Sequence, residues 1–295
     1  MRRARRCHAT YNRWIKEGRG QGTGGDYKPW LTVRDVPSIG ERTQILGAKT
    51  GREHHLMSRW ELYFFLILQW LQHVLDIREQ YPHLSFDTVD GSHPSVRQLL
   101  EESLAIARDL GYKHHTIVGS KDREGTVEAD VPTTDFLLSI RDPAGGPPIL
   151  VARTIKMAKD LENVRTLQKF EIERQFWRRR GIDWGIVTEN QIPLALALNI
   201  DWLYPSMLPT ARLPIEPDLL PHVALTLTNL VFSDAGPLAE ATDRCDDRLR
   251  LEHGTSLVVA RHLIATRQWQ VNMHRRIEPC EPVELLGIKL REPHP

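Results

Sequence analysis

The residues with the clearest chemical potential are an aspartate and a lysine at the ends of two predicted strands. The segment "ILVARTIK" (149–156) begins as a buried strand and ends on Lys156, and Asp135 lies near the start of "VPTTDFLLSI" (131–140). The turn sequence "RDPAGGPP" between them predicts a β-hairpin. Because these ends lie side by side in an antiparallel pair, Asp135 and Lys156 are expected at one sheet edge.

Each of these residues also has a structural explanation, and so does a third candidate, Glu61. Lys156 suits a strand end that meets water, and Asp135 suits a turn cap after two threonines. Glu61 follows Ser58 at the spacing of a capping box, in which the glutamate hydrogen-bonds back to the cap. Glu61 also opens the helix that is expected to pack on the sheet, so it can face the same edge.

Two carboxylates and a lysine at a sheet edge suit phosphodiester hydrolysis. Carboxylates hold Mg²⁺ at a scissile phosphate, where the metal polarises the phosphoryl oxygen and lowers the pKa of a bound water. A lysine orients the water and balances the charge of the transition state. The sequence therefore predicts Glu61, Asp135 and Lys156 as catalytic residues and Mg²⁺ as the cofactor, as two ions that Mn²⁺ can replace.

The remaining pattern predicts an α/β fold. Further strands are expected over "VLDIREQYPHL" (74–84) and "IDWGIVTE" (182–189), which would complete a small mixed sheet with the hairpin. Helices are predicted from Ser58 onward and over residues 94–110, 161–180 and 193–204. This order of helices and strands is typical of an α/β sandwich.

The composition is that of an ordinary soluble globular protein. The 295 residues are 41% apolar and 26% charged, which leaves room for two domains or one large one. No apolar run approaches the ~20 residues of a membrane helix, and no signal peptide follows the basic N-terminus. Three distant cysteines argue against a disulfide framework, so the expected location is cytoplasmic, without a membrane partner.

The basic charges are concentrated at the N-terminus. Residues 1–20 contain seven basic residues against Glu17 alone, and a glycine-rich stretch follows that predicts a flexible connector. The basic stretch is either a DNA-binding arm or a solvated tail. The candidate DNA contacts are Arg2, Arg3, Arg5, Arg6, Arg13, Lys16 and Arg19. His54 and His55 are either surface or structural residues, or neighbours of DNA beside the Glu61 helix.

Several segments, taken in order, resemble the TnsA family, the endonuclease subunits of heteromeric cut-and-paste transposases. The likeness covers roughly residues 11–205. It is carried by "WIKEGRGQGTGGDYKPWLTVRDVPS", "KTGREHHLMSRWELYFFLILQW", "VLDIREQYPHL", "TTDFLL" and "RTLQKFEIERQFWRRRGIDWGIVTE". The resemblance implies a restriction-endonuclease-like catalytic domain whose site has an acid on the first helix, an aspartate and a glutamine-x-lysine pair. Glu61, Asp135 and Lys156 match three of these positions.

The chain departs from the family pattern at Thr154, two residues before the lysine. The wider fold has glutamine or glutamate there, whereas threonine offers a neutral hydroxyl that cannot replace a carboxylate as a metal ligand. A side-chain ligand from Thr154 is therefore in doubt, and the backbone carbonyl of Ile155 is the expected substitute. The departure keeps open a second hypothesis, a non-catalytic DNA-binding or assembly subunit, beside the endonuclease and a free-standing nuclease.

The resemblance also implies a domain organisation and partners. The expected regions are a basic, glycine-rich arm (1–30), the catalytic domain (31–205, with an insertion at about 87–130) and a winged-helix-like domain (206–295). The expected partners are double-stranded DNA at transposon ends, cut on its 5′ strands, and a TnsB-type transposase that acts on the 3′ ends. A TnsC-type AAA+ ATPase is expected to contact the C-terminal region, and the bacterial protein would associate with the nucleoid when engaged.

Overall fold

The computed structural model describes residues 6–36, 41–86, 94–118, 127–233 and 236–289. The chain divides into two compact units, Met1–Ile192 and Pro193–Pro295. In chain order the first unit contains α1 (His8–Lys16), β1 (Thr43–Leu46), β2 (Glu53–Leu56), α2 (Arg59–Trp70), β3 (Val74–Pro82), α3 (Val96–Leu99), α4 (Glu101–Asp109), β4 (Thr116–Val118), β5 (Val127–Ala129), β6 (Thr133–Ile140), β7 (Ile149–Ile155), α5 (Val164–Arg178) and β8 (Asp183–Val187).

A mixed four-stranded sheet with the order β3-β6-β7-β8 forms the centre of this unit. Strands β6 and β7 form the predicted antiparallel hairpin, with Phe136 opposite Arg153 and Ile140 opposite Ile149. Strand β3 is antiparallel to β6, and β8 is parallel to β7. Helix α5 makes the crossover that a parallel pair requires. The predicted mixed α/β architecture is therefore confirmed.

Helices cover both faces of the sheet because consecutive strand residues point in opposite directions. The ring of Phe136 lies 5.6 Å from that of Phe64 on α2. The next residue, Leu137, packs in the opposite core with Ile172 and Phe176 of α5. Helix α2 therefore lies on one face of the sheet and α5 on the other, so side chains from both helices can meet at a sheet edge.

The start of helix α2 confirms the predicted cap. The Ser58 hydroxyl accepts a hydrogen bond from the Glu61 amide (3.2 Å) and donates one to Oε1 of Glu61 (2.9 Å). Oε2 of Glu61 accepts from the amide of Met57 (2.9 Å) instead of that of the cap residue. These contacts satisfy amides that a helix leaves unpaired, and they fix the position of the Glu61 carboxylate.

The expectation that the glycine-rich stretch, residues 16–30, is a flexible connector is wrong. Helix α1 buries Tyr11 and Trp14, whose rings each lie 5.3 Å from that of Trp30. Gly20 has φ of 77°, and a Cβ there would lie 2.4 Å from Cγ of Pro82 on β3. The glycines thus allow the segment to pack closely on the domain, because the buried aromatic side chains anchor it on either side.

The described part of the predicted insertion belongs to the core of the unit. Ile106 and Ala107 of α4 are buried with Phe176 of α5, and Val96 and Leu99 of α3 pack with residues of α1. Residues 87–93 and 119–126 lie outside the described residues. Helices α3 and α4 replace the single helix predicted over 94–110.

The second unit contains α6 (Leu194–Met207), α7 (Leu220–Ser233), α8 (Leu238–Leu249), α9 (Thr255–Ala265) and the antiparallel strands β9 (Trp269–Val271) and β10 (Leu285–Ile288). Helix α6 belongs to this unit because Nδ2 of Asn199 donates to the carbonyls of Met273 (3.1 Å) and Arg275 (2.7 Å). The division therefore precedes α6, whereas the sequence analysis placed it after residue 205. Within the described ranges no helix combines the length and apolarity needed to cross a membrane.

Candidate active site

The predicted hairpin brings Asp135 next to the end of β7. Oδ2 of Asp135 accepts a hydrogen bond from the amide of Ile155 at 2.7 Å, and the charge of Lys156 acts on the same carboxylate. Nζ of Lys156 lies 3.2 Å from Oδ2 of Asp160, and both side chains are more than a third exposed. The structure therefore gathers Asp135 and Lys156 at one edge, as the pairing of the strands predicts.

Glu61 reaches the same site from α2, and one amide side chain links it to Asp135. Nε2 of Gln80 donates to Oε2 of Glu61 at 3.3 Å. The same side chain lies close enough to Asp135 to lower the pKa of that carboxylate. Glu61 and Asp135 are thus within reach of a single buried amide, although one comes from a helix and the other from a strand. The structure places Glu61 near Asp135 and Asp135 near Lys156, and the catalytic role of the three residues stays a prediction.

Glu61 is buried and Asp135 is half-buried, and these environments raise the pKa of both carboxylates. Burial, followed by repulsion from Asp135, raises the pKa of Glu61 to about 8. Burial raises the pKa of Asp135 to about 6, against the amide of Ile155 and the charge of Lys156, which lower it. Neither carboxylate is in a salt bridge with a described residue. Oxygen ligands with excess negative charge suit a hard divalent cation, so Glu61 and Asp135 fit Mg²⁺.

The raised pKa values predict pH-dependent metal binding. Because carboxylates bind a metal only when deprotonated, the affinity for Mg²⁺ should rise between about pH 6 and pH 8, by up to about tenfold per pH unit for each proton displaced. Calorimetric titration with MgCl₂ at pH 6, 7 and 8, in buffers of different ionisation enthalpy, measures both affinity and proton release. A constant affinity without proton release would contradict the expected protonation states.

Another buried carboxylate, that of Glu173 on α5, lies near the site and is not among the residues predicted from the sequence. Its Oε1 accepts hydrogen bonds from the hydroxyls of Thr134 and Thr154, each at 2.6 Å. Burial raises the pKa of Glu173 to about 7. The available signal was its spacing. In the helix predicted over 161–180, Glu173 lies three residues after Phe170 and four before Trp177, which places it on the same face as these two aromatic residues. An acid on a buried helical stripe needs a partner or a function.

Thr154 occupies the position where the family pattern has glutamine or glutamate. Its hydroxyl already donates a hydrogen bond within the protein. It donates to Glu173 and accepts from Nε1 of Trp184 at 3.3 Å. The carboxylate next to Thr154 is therefore that of Glu173, which belongs to α5 and not to β7. Thr154 serves as the hydrogen-bond donor that holds Glu173, and the Ile155 carbonyl as a metal ligand stays a prediction.

The tightest group of potential metal ligands among the described residues lies elsewhere, in the second unit. Ligand atoms of Asp243, Asp246 and His253 lie within 4.8 Å of one another. Both oxygens of Asp246 already accept amide hydrogen bonds, from Gly254 and Ser256 at 2.8 Å, at the start of α9. That group therefore caps a helix. Glu61 and Asp135 do not form so tight a group with a third acid. They remain the candidate ligand pair because they lie close together and neither is in a salt bridge with a described residue.

A cavity of about 440 Å³ opens beside this pair. Asp135, Thr154, Lys156 and Glu173 line it, whereas Glu61 does not. The wall also carries Lys169, which forms no ion pair with the described residues. The cavity thus combines carboxylates with a cation, the combination that a phosphodiester and its metal ion require.

The predicted DNA contacts have different environments, and Arg2, Arg3 and Arg5 lie outside the described residues. Arg6 lines the cavity and binds Asp130 at 2.5 Å, and Arg19 binds Asp35 at 2.7 Å. Of the predicted basic contacts that the structure describes, only Arg13 and Lys16 are exposed. Because internal carboxylates hold Arg6 and Arg19, these two side chains are not those of a free arm.

The prediction that His54 neighbours DNA is wrong. His54 is fully buried, and its Nδ1 lies 2.7 Å from Oε2 of Glu79. Its ring packs 4.6 Å from that of Phe65. His55 is half-buried, and its amide donates to Glu79 at 3.2 Å. His54 is therefore a structural residue, because β2 directs its side chain into the core.

Two family models and one known protein match parts of the chain. Residues 71–189 match the model described as "TnsA-like endonuclease N terminal", and residues 191–273 match "TnsA endonuclease C terminal". The chain is 45% identical over 192 residues to the Transposon Tn7 transposition protein TnsA of Escherichia coli. This alignment covers 65% of the chain and 61% of the length of that relative. The junction between the two models falls at the division between the two units, and the chain belongs to the TnsA endonuclease family.

Proposed function

We propose that this chain is a Mg²⁺-dependent DNA endonuclease subunit of a transposase. The observation that carries the proposal is the pair of carboxylates formed by Glu61, which is buried, and Asp135, which is half-buried and lines a cavity together with Lys156 and Lys169. Membership of the TnsA family supports the same chemistry, since its models describe endonucleases and the E. coli relative is named for Tn7 transposition. The substrate would be a phosphodiester bond of DNA.

The architecture supports a restriction-endonuclease-like core. Strands β6 and β7 present Asp135 and Lys156 at one edge of the mixed sheet, while α2 and α5 bring Glu61 and Glu173 from its two faces. In the second unit, helices followed by the antiparallel β9–β10 pair support a winged-helix-like domain. We assign the cleavage chemistry to the first unit, because all of these side chains belong to it.

The chain's own residues account for binding and charge balance during cleavage. Glu61 and Asp135 would hold Mg²⁺, which when bound polarises the phosphoryl oxygen and lowers the pKa of a water. The ammonium of Lys156 would exchange its contact with the exposed Asp160 for an oxygen of the scissile phosphate. There it would orient the attacking water and balance the negative charge of the transition state. The Thr154 hydroxyl holds Glu173 at the wall of the cavity.

The proposal extends to the transposition complex. The substrate would be double-stranded DNA at transposon ends, cut on the 5′ strands. A TnsB-type transposase would act on the 3′ ends, and a TnsC-type AAA+ ATPase would contact the second unit. The name of the E. coli relative places that protein in Tn7 transposition, which supports a complex of this kind.

A nicking assay on transposon-end DNA with Mg²⁺ and the partner transposase tests the function. We expect wild type to cut the 5′ strands and Lys156→Ala to lose at least about 10²-fold in rate, because charge balance is lost in the transition state. Lys159→Ala is the matched control, since Lys159 is an exposed lysine on the same segment. Wild type that supports joining of the 3′ ends without cutting would favour the non-catalytic assembly subunit.

Lys169 gives a separate prediction about DNA binding. Its ammonium lines the cavity beside Lys156 without an ion pair among the described residues, and burial together with Arg165 lowers its pKa. Lys169→Gln should weaken DNA binding and reduce the slope of log affinity against log salt concentration by about one. The control is Arg174→Gln, because Arg174 lies elsewhere on α5 and pairs with Glu171. An unchanged salt slope in Lys169→Gln would contradict a phosphate contact.

A further inference from the structure

Gln80 marks a departure of β3 from regular strand geometry. Its φ is 50°, in the left-handed region that residues other than glycine rarely adopt. The side chain is 3% exposed, and the backbone carbonyl accepts the amide of Trp30 at 3.2 Å. Such a conformation costs free energy and persists where the surrounding structure imposes it, often at a functional site.

The left-handed residue moves the side chains of β3 from one face of the sheet to the other. Residues two apart in a strand should share a face. Glu79, however, contacts His54, which packs against α2, whereas the ring of Tyr81 lies 5.6 Å from that of Trp177 on α5. Gln80 therefore stands between a residue directed to one helix layer and a residue directed to the other.

Strand β6 changes faces at the same level. Phe136 packs against α2, whereas the Thr134 hydroxyl accepts from Nε1 of Trp177 on α5 at 2.7 Å. Glu79 is paired with Phe136 and Tyr81 with Thr134, so Gln80 and Asp135 lie opposite each other at the change. Both side chains consequently occupy the gap between the two helix layers, where Glu61 enters from α2.

The surroundings fix the orientation of the Gln80 amide. The Thr133 hydroxyl donates to Oε1 of Gln80 at 3.2 Å, so the amide nitrogen is directed toward the carboxylates. Nε2 donates to Glu61 at 3.3 Å, and the side chain, opposite Asp135 in the strand pair, lowers the pKa of that carboxylate. An NH₂ group has two donors, so the amide that binds Glu61 has a second N–H to offer to Asp135.

We propose that Gln80 is the positioning residue of the cation site, which holds Glu61 and Asp135 at a spacing that one divalent cation can share. Carboxylates that ligate a metal are in general oriented by hydrogen bonds from neighbouring groups. Gln80 performs this role from an imposed left-handed backbone, because a regular strand would direct residue 80 away from the gap. The inference rests on the proposed function only in taking Mg²⁺ or Mn²⁺ as the cation.

Metal binding by the full chain without DNA provides the test, with Mn²⁺ titrated by calorimetry. Gln80→Met keeps the length of the side chain and removes both donors, so we expect Mn²⁺ to bind about 10- to 100-fold more weakly, the range known for groups that orient metal ligands. Gln80→Asn keeps the amide and tolerates a left-handed backbone, but is one methylene shorter. It should fold with a Tm at or above that of wild type and still bind Mn²⁺ at least tenfold more weakly. The control Gln175→Met alters a partly exposed glutamine that contacts Glu171.

The outcomes separate the inference from the proposed function. Gln80→Met or Gln80→Asn that folds and binds Mn²⁺ with wild-type affinity overturns the positioning role while the endonuclease proposal stands. Wild type that binds no Mn²⁺ overturns the proposed function, and the role of Gln80 with it. In the nicking assay, support for the inference is a Gln80→Asn variant that needs at least tenfold more Mg²⁺ for half-maximal cleavage. At saturating Mg²⁺ the cleavage rate of this variant should fall by less than tenfold.

Discussion

Asp135→Asn is expected to lower the cleavage rate by about 10³-fold, while the protein stays folded. The asparagine side chain would keep an oxygen to accept the amide of Ile155, which Asp135 now accepts at 2.7 Å. The variant would lose the charge that, with Glu61, suits a divalent cation. A bound metal contributes several kcal/mol of transition-state stabilisation, which corresponds to about three powers of ten in rate.

The stability of Asp135→Asn should change in the opposite direction. Because burial raises the pKa of Asp135 in the folded chain, the ionised carboxylate opposes folding above its ordinary pKa. Removing it should therefore raise the Tm of the metal-free protein at pH 8. Added Mg²⁺ should raise the Tm of wild type but not that of the variant.

The matched control for this prediction is Asp142→Asn. Asp142 lies in the turn of the same hairpin, where it accepts the amide of Ala144 at 2.9 Å. The control should cut at the wild-type rate and respond to Mg²⁺ as wild type does. A cleavage rate within tenfold of wild type in Asp135→Asn would show that the metal is held elsewhere.

Glu79→Ala is expected to lower the free energy of unfolding by about 3–5 kcal/mol, the usual consequence of removing one partner of a buried ion pair. Both oxygens of Glu79 bind Arg52, at 2.9 and 2.6 Å, and Oε2 also binds Nδ1 of His54 at 2.7 Å. The Glu79 side chain is fully buried and that of Arg52 is 9% exposed. The substitution would leave Arg52 buried without its counter-charge.

The stability that Glu79 contributes should disappear in acid. Burial acts to raise its pKa, but His54 and then Arg52 outweigh burial and lower the pKa to about 2. A carboxyl whose pKa is lowered on folding stabilises the protein above its ordinary pKa, and this stability is lost as pH falls toward the folded value. The difference between wild type and Glu79→Ala should therefore shrink from about pH 4.5 to pH 2.

Urea denaturation of both proteins across this pH range provides the measurement. Glu53→Ala is the control, because Glu53 is an exposed acid on the neighbouring strand β2, and it should alter the free energy of unfolding by less than about 0.5 kcal/mol. A Glu79→Ala variant as stable as wild type at pH 7 would contradict the buried ion pair. Since Glu79 precedes Gln80, the variant should also weaken Mn²⁺ binding.

Local patterns in the sequence determined the elements of the site. The turn after Ile140 made β6 and β7 a hairpin, and the pairing rule alone placed Asp135 beside the end of β7. The spacing from Ser58 to Glu61 gave the helix start. These inferences succeed because turns, caps and adjacent strands involve residues that are close along the chain.

Contacts between segments that are distant in the sequence decided which side chains are buried together. The glycine-rich segment is packed because Trp14 and Trp30, sixteen residues apart, bury each other. His54 is internal because Glu79, twenty-five residues later, receives it. Both contacts depend on how distant segments meet, which composition and local periodicity do not encode.

The sequence by itself determined the strand pairing, the helix cap, the three candidate catalytic residues and the resemblance to an endonuclease family. Only the tertiary structure decided that Thr154 binds Glu173 and that Gln80 lies beside both Glu61 and Asp135. The physical reason is that a glutamine in a strand has no local signature of a left-handed backbone. That conformation arises because two helix layers and a neighbouring strand impose it.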